Sequence, residues 1–176
     1  MQENHWVRRA SAVIGSTIFL VLAPGTVVGY IPWRITHWQL NAAFSGFGLV
    51  CAVGVLLICA GVAVLLESFA RFALKGLGTP APVFPPQHLV VTGFYRFVRN
   101  PMYVALLAMV AGQSLLFEDI RLGTYALCLW LAFHLFVCVY EEPALRRTFG
   151  AEYKAYCAHV ARWIPRLTPW DVSPDQ

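Results

Sequence analysis

Charge is scarce in this sequence. Only 12% of its 176 residues are charged, whereas 59% are hydrophobic. Soluble domains typically have about 25% charged and about 45–50% apolar residues. So few charges cannot cover a soluble domain of ordinary size with polar surface. The composition therefore indicates a membrane protein.

Several nucleotide- and metal-binding patterns are also missing. The chain has no GxGxxG or Walker-type loop and no evident internal repeat, so the usual signs of a dinucleotide or P-loop fold are absent. Its five cysteines contain no CxxC pair, and its five histidines are scattered. We therefore expect reduced cysteines and neither a disulfide framework nor a metal site. His134 is expected to pack inside an apolar run, although an ionisable group at that depth merits attention.

Four runs without Asp, Glu, Lys or Arg are candidate membrane spans, and the third of them, with 17 residues, is marginal in length. A helix rises about 1.5 Å per residue, so about 20 apolar residues span about 30 Å of hydrocarbon. The predicted fold is an all-α integral membrane protein with spans at about 10–33, 42–66, 101–117 and 122–140. Pro24-Gly25 predicts a kink or an early exit in the first span. Only residues 118–121 separate the last two spans, which predicts a tight antiparallel hairpin.

A cleaved signal peptide is the alternative interpretation of the first run. Arg8 and Arg9 supply the positive flank that such a peptide needs. No clear small-residue cleavage site follows, and three later spans require an anchored topology. A retained span is therefore the better interpretation.

Basic residues are distributed unevenly between the two sides that four spans create. Eleven of the thirteen lie on the side of both termini and of the loop between the second and third spans: Arg8, Arg9, Arg71, Lys75, Arg96, Arg99, Arg146, Arg147, Lys154, Arg162 and Arg166. The opposite side has only Arg34 and Arg121. The positive-inside rule then predicts cytoplasmic termini and a multi-pass protein of a bacterial inner membrane. The net charge of +4 fits contact with anionic membrane lipids, so nucleic acid is not expected as a partner.

The chain divides into two predicted halves. Residues 1–78 form an N-terminal transmembrane hairpin, and residues 79–176 form the half with the unusual cytoplasmic segments. The loop 79–100 contains four prolines, at positions 80, 82, 85 and 86, which exclude a helix there. The extended stretch "HLVV" (88–91) then leaves backbone groups free to bind a flat polar ligand such as a nucleoside. A stiff connector on the membrane surface is the alternative.

The third span begins with the stretch "RNPMY" (99–103). Pro101 suits the first turn of a helix, and Asn100 then takes the N-cap position. The free N–H groups and the positive end of this helix could receive a carboxylate. Tyr95, Tyr103 and the nearby arginines are equally explained as anchors at the membrane interface.

Glu141 and Glu142 end the fourth span, and an amphipathic helix is predicted over about 143–162. Its apolar residues recur every three or four positions, at Leu145, Phe149, Tyr153, Tyr156, Val160 and Trp163. The basic residues lie off this stripe, so the helix can rest on an anionic membrane. The hairpin returns Glu141 to the membrane face that holds Asn100, where acids, a helix start and aromatic rings converge. A solvated helix end is the simpler explanation of the two glutamates.

Two motifs in this half resemble those of known enzymes. They are "HLVVTGFYRFVRNPMY" (88–103) and "EEPALRRTFGAEYKAYCAHVARWIP" (141–165). In this order and spacing they resemble the integral-membrane methyltransferases, a superfamily that includes isoprenylcysteine carboxyl methyltransferases and phospholipid N-methyltransferases. The resemblance covers roughly residues 80–166, and the first two spans match only in character.

The resemblance implies a cytoplasmic pocket for S-adenosylmethionine, covered by the C-terminal helix, and a lipophilic acceptor. The implied cofactor-binding residues are His88, Leu89, Val90, Val91, Tyr95, Asn100, Pro101, Met102, Tyr103, Glu141 and Glu142. The charges of this site complement those of the cofactor. The positive start of the third span suits the cofactor's carboxylate, the glutamates suit its ammonium, and aromatic faces suit its sulfonium. Glu141 is the expected catalytic base if the acceptor is an amine, whereas a carboxylate acceptor needs no base.

Two positions depart from the pattern of the superfamily. Asn100 stands where most members have His, so any part of that imidazole in cofactor binding is replaced or lost. Val137 stands one turn before the glutamates, where eukaryotic carboxyl methyltransferases tend to have an Arg that suits a substrate carboxylate. The missing Arg counts against a prenylcysteine acceptor, and lipid amines, isoprenoid acids and small hydrophobic thiols all stay open.

Two other functions are the alternatives. Membrane sterol reductases look similar over their C-terminal halves and bind NADPH, but they need a basic cluster for the extra phosphate, which the paired glutamates oppose. A non-enzymatic membrane subunit or transporter predicts polar residues at mid-membrane. Only His134 and a few Ser, Thr and Gln residues meet that condition.

Overall fold

A computed structural model of the protein describes residues 21–39, 47–74 and 89–170. Within these ranges the chain is helical and contains no β-strand, so the all-α fold class is confirmed. Residues 10–20 of the first predicted span, most of the proline-rich loop with His88, and residues 171–176 lie outside the described residues.

The helices follow one another with short connections. They are α1 (Ile31–Thr36), α2 (Phe47–Leu74), α3 (Pro101–Phe117), α4 (Ile120–Phe136) and α5 (Glu142–His159). One π-helical segment (Gly25–Tyr30) precedes α1, and another (Val137–Glu141) joins α4 to α5. A 3₁₀ turn covers Gly93–Arg96. Helical segments therefore follow one another without a loop from Ile120 to His159, with a kink at Gly150.

Two of these stretches are long and apolar enough to cross a membrane. They are Gly48–Arg71 and Ile120–His159, and the apolar α3 is shorter. The second predicted span is thus helical beyond Leu66, and α3 has the bounds predicted for the third. These helices agree with the membrane association that the composition indicates, whereas the four-span topology and the division into halves stay predictions.

Helix α3 lies at the centre and packs against α2 on one side and α4 on the other. Glycines allow the closest approach of α2 to α3. A Cβ atom added to Gly54 would lie 2.7 Å from the carbonyl oxygen of Gly112, and one added to Gly112 would lie 2.6 Å from that of Gly54. Small residues serve this purpose in membrane helices because lipid tails provide no hydrophobic force between helices. The outer face of α2 is apolar and exposed, as at Leu49.

Gly54→Val is expected to destabilise the protein by about 1–3 kcal/mol, because the added methyl groups must displace the backbone of α3. Gly48→Val is the matched control, since it changes the same residue type on the same helix at a position with no atom within 4 Å. Unfolding of both variants in detergent, followed by circular dichroism, measures the difference. Equal stability of the two variants would contradict this account of the α2–α3 contact.

Pro32 determines how the first helical segment joins the bundle. Its nitrogen has no hydrogen, so the π-helical turn before it lacks one backbone donor, and side chains of α3 and α4 donate to two of its carbonyls. Tyr125 of α4 donates its hydroxyl to Val27 O at 3.0 Å, and Gln113 of α3 donates its amide to Val28 O at 2.8 Å. Hydrocarbon offers no substitute for these bonds. The chain stays helical through Pro24-Gly25, and the irregularity there is the π-helical segment.

Helix α5 turns its apolar residues toward the protein. Tyr153, Tyr156 and Val160 form a buried cluster with Leu89 and Val91 of the loop before α3, and Leu145, Phe149 and Trp170 pack around it. Gly150 interrupts the helical geometry with φ 48°. The stripe predicted from the sequence is therefore occupied by protein contacts. The helix ends at His159, and residues 160–170 continue as an irregular segment, which we call the C-terminal strap.

Candidate functional site

The C-terminal strap is paired with the loop that leads into α3. Arg99 N donates to Ala161 O at 2.9 Å, Arg166 N donates to Phe97 O at 2.9 Å, and Trp170 N donates to Arg96 O at 3.0 Å. These backbone bonds hold the strap over the start of α3 and the end of α4. The residues around Glu141 and Glu142 come together under it.

Glu142 is the buried centre of an arginine cluster. Its side chain is 5% exposed. Arg162 lies 2.6 Å from Oε1 through Nε and 3.0 Å from Oε2 through Nη2, Arg99 Nη1 lies 3.0 Å from Oε1, and Arg146 Nη2 lies 3.4 Å from Oε2. The bond to Glu142 raises the pKa of the Arg162 guanidinium above its usual range. Glu142 thus ties α5 to the loop and to the strap.

The π-helical segment separates the directions of the two glutamates. The amide of Glu142 donates to Val137 O, five residues back, so one extra residue is inserted into this turn. Glu142 therefore continues the buried face that contains Val137, which is 1% exposed. Glu141 lies on another side of the helix.

Glu141 is hydrogen-bonded to a tyrosine, whereas Glu142 is bound by arginines. Tyr103 of α3 donates its hydroxyl to Glu141 Oε2 at 3.0 Å. In the described part of the chain, Glu141 makes no ion pair with any basic residue. Two adjacent carboxylates thus differ sharply: Glu142 is neutralised by three guanidinium groups, and Glu141 has no positive partner among the described residues.

Aromatic rings surround the tyrosine that holds Glu141. The ring of Tyr103 lies 4.6 Å from that of Phe133 and 6.5 Å from that of Trp163, between centroids. Trp163 lies 6.4 Å from Trp130 and 6.1 Å from His134. We call these five residues the aromatic cluster. Carboxylate and aromatic faces together favour a cation.

Asn100 occupies the N-cap position of α3 as predicted, but its side chain makes no capping bond. Its amide donates instead to Arg162 O at 3.1 Å, in the strap. Next to it, Arg99 donates through Nη1 to Cys157 Sγ at 2.8 Å, and its Nε atom is buried without a hydrogen-bond partner in the described residues. An anion near the start of α3 would satisfy that Nε atom.

The other predicted site residues lie in three places: against α5, at the α2–α3 contact and next to Tyr156. Leu89 and Val91 pack against α5, Val90 is buried, and Met102 packs on the core of the α2–α3 contact next to the buried Pro101. The carbonyl of Tyr95 accepts a bond from the Tyr156 hydroxyl at 2.6 Å. Burial, and then the charge of Glu141, raise the pKa of Tyr95 well above its usual range. Tyr95, Tyr103 and Glu141 therefore belong to one neighbourhood.

Sequence reasoning missed the arginines around Glu142 and most of the aromatic cluster. Arg162 lies twenty residues beyond Glu142, after α5 has ended, and no spacing rule connects the two. His134 carried a signal, since it is an ionisable residue in an apolar run, and it proves to accept a bond from Trp163 Nε1 at 3.1 Å. Among the described residues, no group of three or more His, Cys, Asp or Glu could hold a metal ion.

A separate cavity opens between α2, the 3₁₀ turn and the strap. Its volume is about 420 Å³, and its lining includes the ion pair of Glu67 with Arg71. Gly93, with φ 60°, lies so close to this pair that any side chain would collide with it. None of the predicted cofactor-binding residues lines this cavity.

Comparison with known proteins identifies the class. The phospholipid methyltransferase family matches residues 49–152. The match covers more than half of the chain, so the protein belongs to this family and is a membrane methyltransferase. Methyltransferases of this kind generally use S-adenosylmethionine. No curated protein and no solved structure matches the chain significantly.

The family match differs in extent from the resemblance seen in the motifs. It begins at residue 49 and therefore includes α2, which lies before the residues 80–166 of that resemblance. It ends at residue 152, so the last part of α5 and the whole C-terminal strap lie outside it. The packing of α2 on α3 is consequently part of the matched unit, whereas Arg162 and Trp163 lie beyond the matched residues.

Proposed function

We propose that the protein transfers the methyl group of S-adenosylmethionine to the amine of a membrane lipid, with Glu141 as the carboxylate that receives the amine's proton. One observation carries this proposal: Glu141 lies against an aromatic cluster without a positive partner among the described residues. A carboxylate in that position attracts cations and accepts protons.

The residues present suit S-adenosylmethionine. The buried Arg99 Nε has no acceptor among the described residues, and Arg99 directly precedes Asn100, the N-cap residue of α3, so a carboxylate suits this place. Glu141 and the ring faces of Tyr103 and Trp163 suit the positive groups of the same molecule. Leu89 to Val91 and Asn100 to Tyr103 stay assigned to the cofactor by resemblance. Glu142 is fully engaged by arginines, so we assign it a positioning role.

The chain's own residues mainly align and protect the reacting groups. S-adenosylmethionine, when bound, supplies a methyl group on a positively charged sulfur. Tyr103 holds the Glu141 carboxylate in one orientation, and Glu141 removes a proton from the acceptor's ammonium so that its lone pair is free to react. The strap and the aromatic cluster exclude water from these groups, and the fixed alignment contributes the largest share of the rate.

The surroundings of Glu141 favour an amine over the other acceptors. An isoprenylcysteine-type carboxylate would be repelled by Glu141, and position 137, where an Arg would bind it, is a buried valine. The NADPH alternative requires basic groups for a phosphate. The arginines nearest this site, Arg99 and Arg162, are bound to Glu142, and the remaining Arg99 Nε donor is the one assigned above to the cofactor's carboxylate.

Calorimetry with S-adenosylhomocysteine on detergent-purified protein tests this function. We expect binding, and a higher unfolding temperature in its presence, because a ligand that prefers the folded state stabilises it. Methyl transfer should occur to phosphatidylethanolamine or its N-methylated forms and not to a farnesylcysteine. NADPH is the control ligand. Binding of NADPH alone, or methylation of the farnesylcysteine alone, would overturn the proposal.

We also propose that α5 and the strap face the cytoplasm, because eleven of thirteen basic residues lie on that side of a four-span arrangement. In a cysteine-free background, a single cysteine at Ala158 should react only with reagents that reach the cytoplasm. A single cysteine at Ile120, which is exposed at the opposite end of α4, should react only from outside. Labelling of both sites from one side would refute the topology.

A further inference from the structure

The C-terminal strap has two large apolar side chains that are left exposed. Leu167 is 99% exposed and Ile164 is 75% exposed. Single apolar residues on a protein surface are common and need no special explanation. What these two residues contact is therefore decided by where the strap places them.

The strap follows α4 away from the glutamates. Trp163, which directly precedes Ile164, donates its indole N–H to His134 Nδ1 at 3.1 Å, and its ring lies 6.4 Å from that of Trp130. His134 precedes Glu141 by seven residues, which corresponds to about 10 Å along a helix axis. The indole thus lies about two turns into the apolar stretch of α4.

The neighbouring surface of α4 is apolar and exposed. Leu131 and Leu135, one turn apart, are each the next residue after Trp130 and His134, and both are exposed. They belong to a stretch that is long and apolar enough to cross a membrane. Such side chains face lipid tails in a membrane helix. An apolar residue that follows Trp163 therefore adjoins the same lipid.

The charged side chains of the strap are bound to the protein. Arg162 contacts Glu142 through Nε at 2.6 Å, and Arg166 donates through Nη1 to the carbonyl oxygen of His159, at the end of α5, at 2.6 Å. The two apolar side chains have no such contact and are exposed. This separation of bound charges from exposed apolar groups is typical of a segment that lies in the membrane interface, with its apolar side about 5–10 Å deep.

The backbone around Ile164 is also suited to an apolar environment. Lipid tails offer no hydrogen-bond partner, so backbone groups there must be bonded within the protein. Pro165 has no N–H group, and the N–H of Arg166 is bonded to Phe97 O at 2.9 Å. On the other side of Ile164, the carbonyl of Ala161 accepts a bond from the backbone of the loop before α3.

We propose that the lipid bilayer is the partner of the C-terminal strap: Ile164 and Leu167 insert among the acyl chains beside α4, and this insertion holds the strap over the site. The strap supplies Arg162 to Glu142 and Trp163 to the aromatic cluster, so the membrane contributes to keeping the site closed. A second copy of the chain would first have to displace the lipid beside α4. The inference does not depend on which acceptor is methylated.

A polarity-sensitive fluorophore, nitrobenzoxadiazole, tests this contact in the full-length protein in lipid nanodiscs. In a cysteine-free background, a single labelled cysteine replaces Ile164, Leu167 or Glu152. Glu152 is the matched control, because it is exposed on α5 and its native carboxylate belongs in water. Iodide is the quencher in water, and phosphatidylcholine with a nitroxide near the headgroup end of one acyl chain is the quencher in the membrane.

Iodide should quench the labels at positions 164 and 167 about fivefold more weakly than the control label, because an anion enters an apolar layer only at a high cost. The nitroxide lipid should quench both strap labels and leave the label at position 152 nearly unchanged. Leu167 is almost fully exposed, so its replacement keeps the test valid if Ile164→Cys does not fold.

A charge in the strap tests whether the insertion holds it in place. Leu167→Asp should raise the iodide quenching of the label at position 164 by about fivefold, because a carboxylate is costly within the membrane and lifts the strap toward water. Leu167→Val is the control and should leave this quenching unchanged. The inference is overturned if iodide quenches both strap labels as strongly as the control label. Protection from both quenchers, which would mean that protein covers the strap, overturns it as well, and so does an unchanged label in Leu167→Asp.

Discussion

Glu142→Gln is expected to lower the free energy of unfolding by about 3–5 kcal/mol, the usual cost of removing one partner from a buried ion pair. The side chain of Arg99 is 12% exposed and that of Arg162 is 27% exposed. Both positive charges would be left without their carboxylate. Arg146, at 64% exposure, should contribute little, because water screens it. Unfolding of the variant and the parent in the same detergent measures the effect.

Glu152→Gln is the matched control for this prediction. Glu152 is also on α5, but it is exposed, so its replacement should change stability by less than about 0.5 kcal/mol. A double variant, Glu142→Gln with Arg162→Gln, should be more stable than the sum of the single effects predicts, because the two residues share one interaction. If Glu142→Gln is as stable as Glu152→Gln, the arginine cluster does not hold the strap in place.

The sequence predicted those helix ends that are determined by residues next to them in the chain. Pro101 with Asn100 marks the start of α3, and its end at Phe117 follows from the loss of apolar residues at Glu118 and Asp119. The hairpin to α4 was predicted for the same reason. Only two residues separate the helices, and Asp119 caps the second by accepting a bond from Arg121 N at 2.8 Å.

The directions of the two glutamates could not be predicted in this way. Counting 100° per residue assumes a regular α-helix, and the π-helical turn at Val137–Glu141 inserts a residue just before Glu142. That insertion changes the direction around the helix axis in which every later side chain points. Adjacent residues of any helix point in different directions, but the arginine partners of Glu142 depend on the strap, whose path after α5 has no periodic signal.

The aromatic cluster could not be predicted from the sequence for a related reason. Trp163 appeared to continue the apolar stripe of α5, because it falls three residues after Val160. The helix ends at His159, however, and Val160 is in an extended conformation, with φ −117° and ψ 125°. The change of direction carries Trp163 to His134 on α4. A tertiary turn that no local pattern marks therefore creates this part of the site.

Glu141→Gln is expected to leave the fold intact and to reduce methyl transfer to lipid amines by about 10²–10⁴-fold, the usual contribution of a positioned base. Glutamine keeps the size of the side chain and one oxygen for the Tyr103 hydroxyl. It cannot accept the amine's proton, and it removes the negative charge that attracts a cation. The affinity for S-adenosylhomocysteine should also fall, by about ten- to a hundredfold, if the same carboxylate binds the cofactor's ammonium, since bonds to charged groups contribute about 1.5–3 kcal/mol.

Tyr103→Phe separates the charge of Glu141 from its orientation. This variant keeps the carboxylate and the ring that packs on Phe133 but removes the hydroxyl that holds Oε2. Its methyl transfer should therefore fall much less than that of Glu141→Gln, by about tenfold, which corresponds to one lost hydrogen bond of about 1.4 kcal/mol.

Raising the pH should restore part of the activity of Glu141→Gln, because more of the acceptor is then already deprotonated. A Glu141→Gln variant with parental activity at neutral pH would show that the proton leaves by another route and that this carboxylate is not the base.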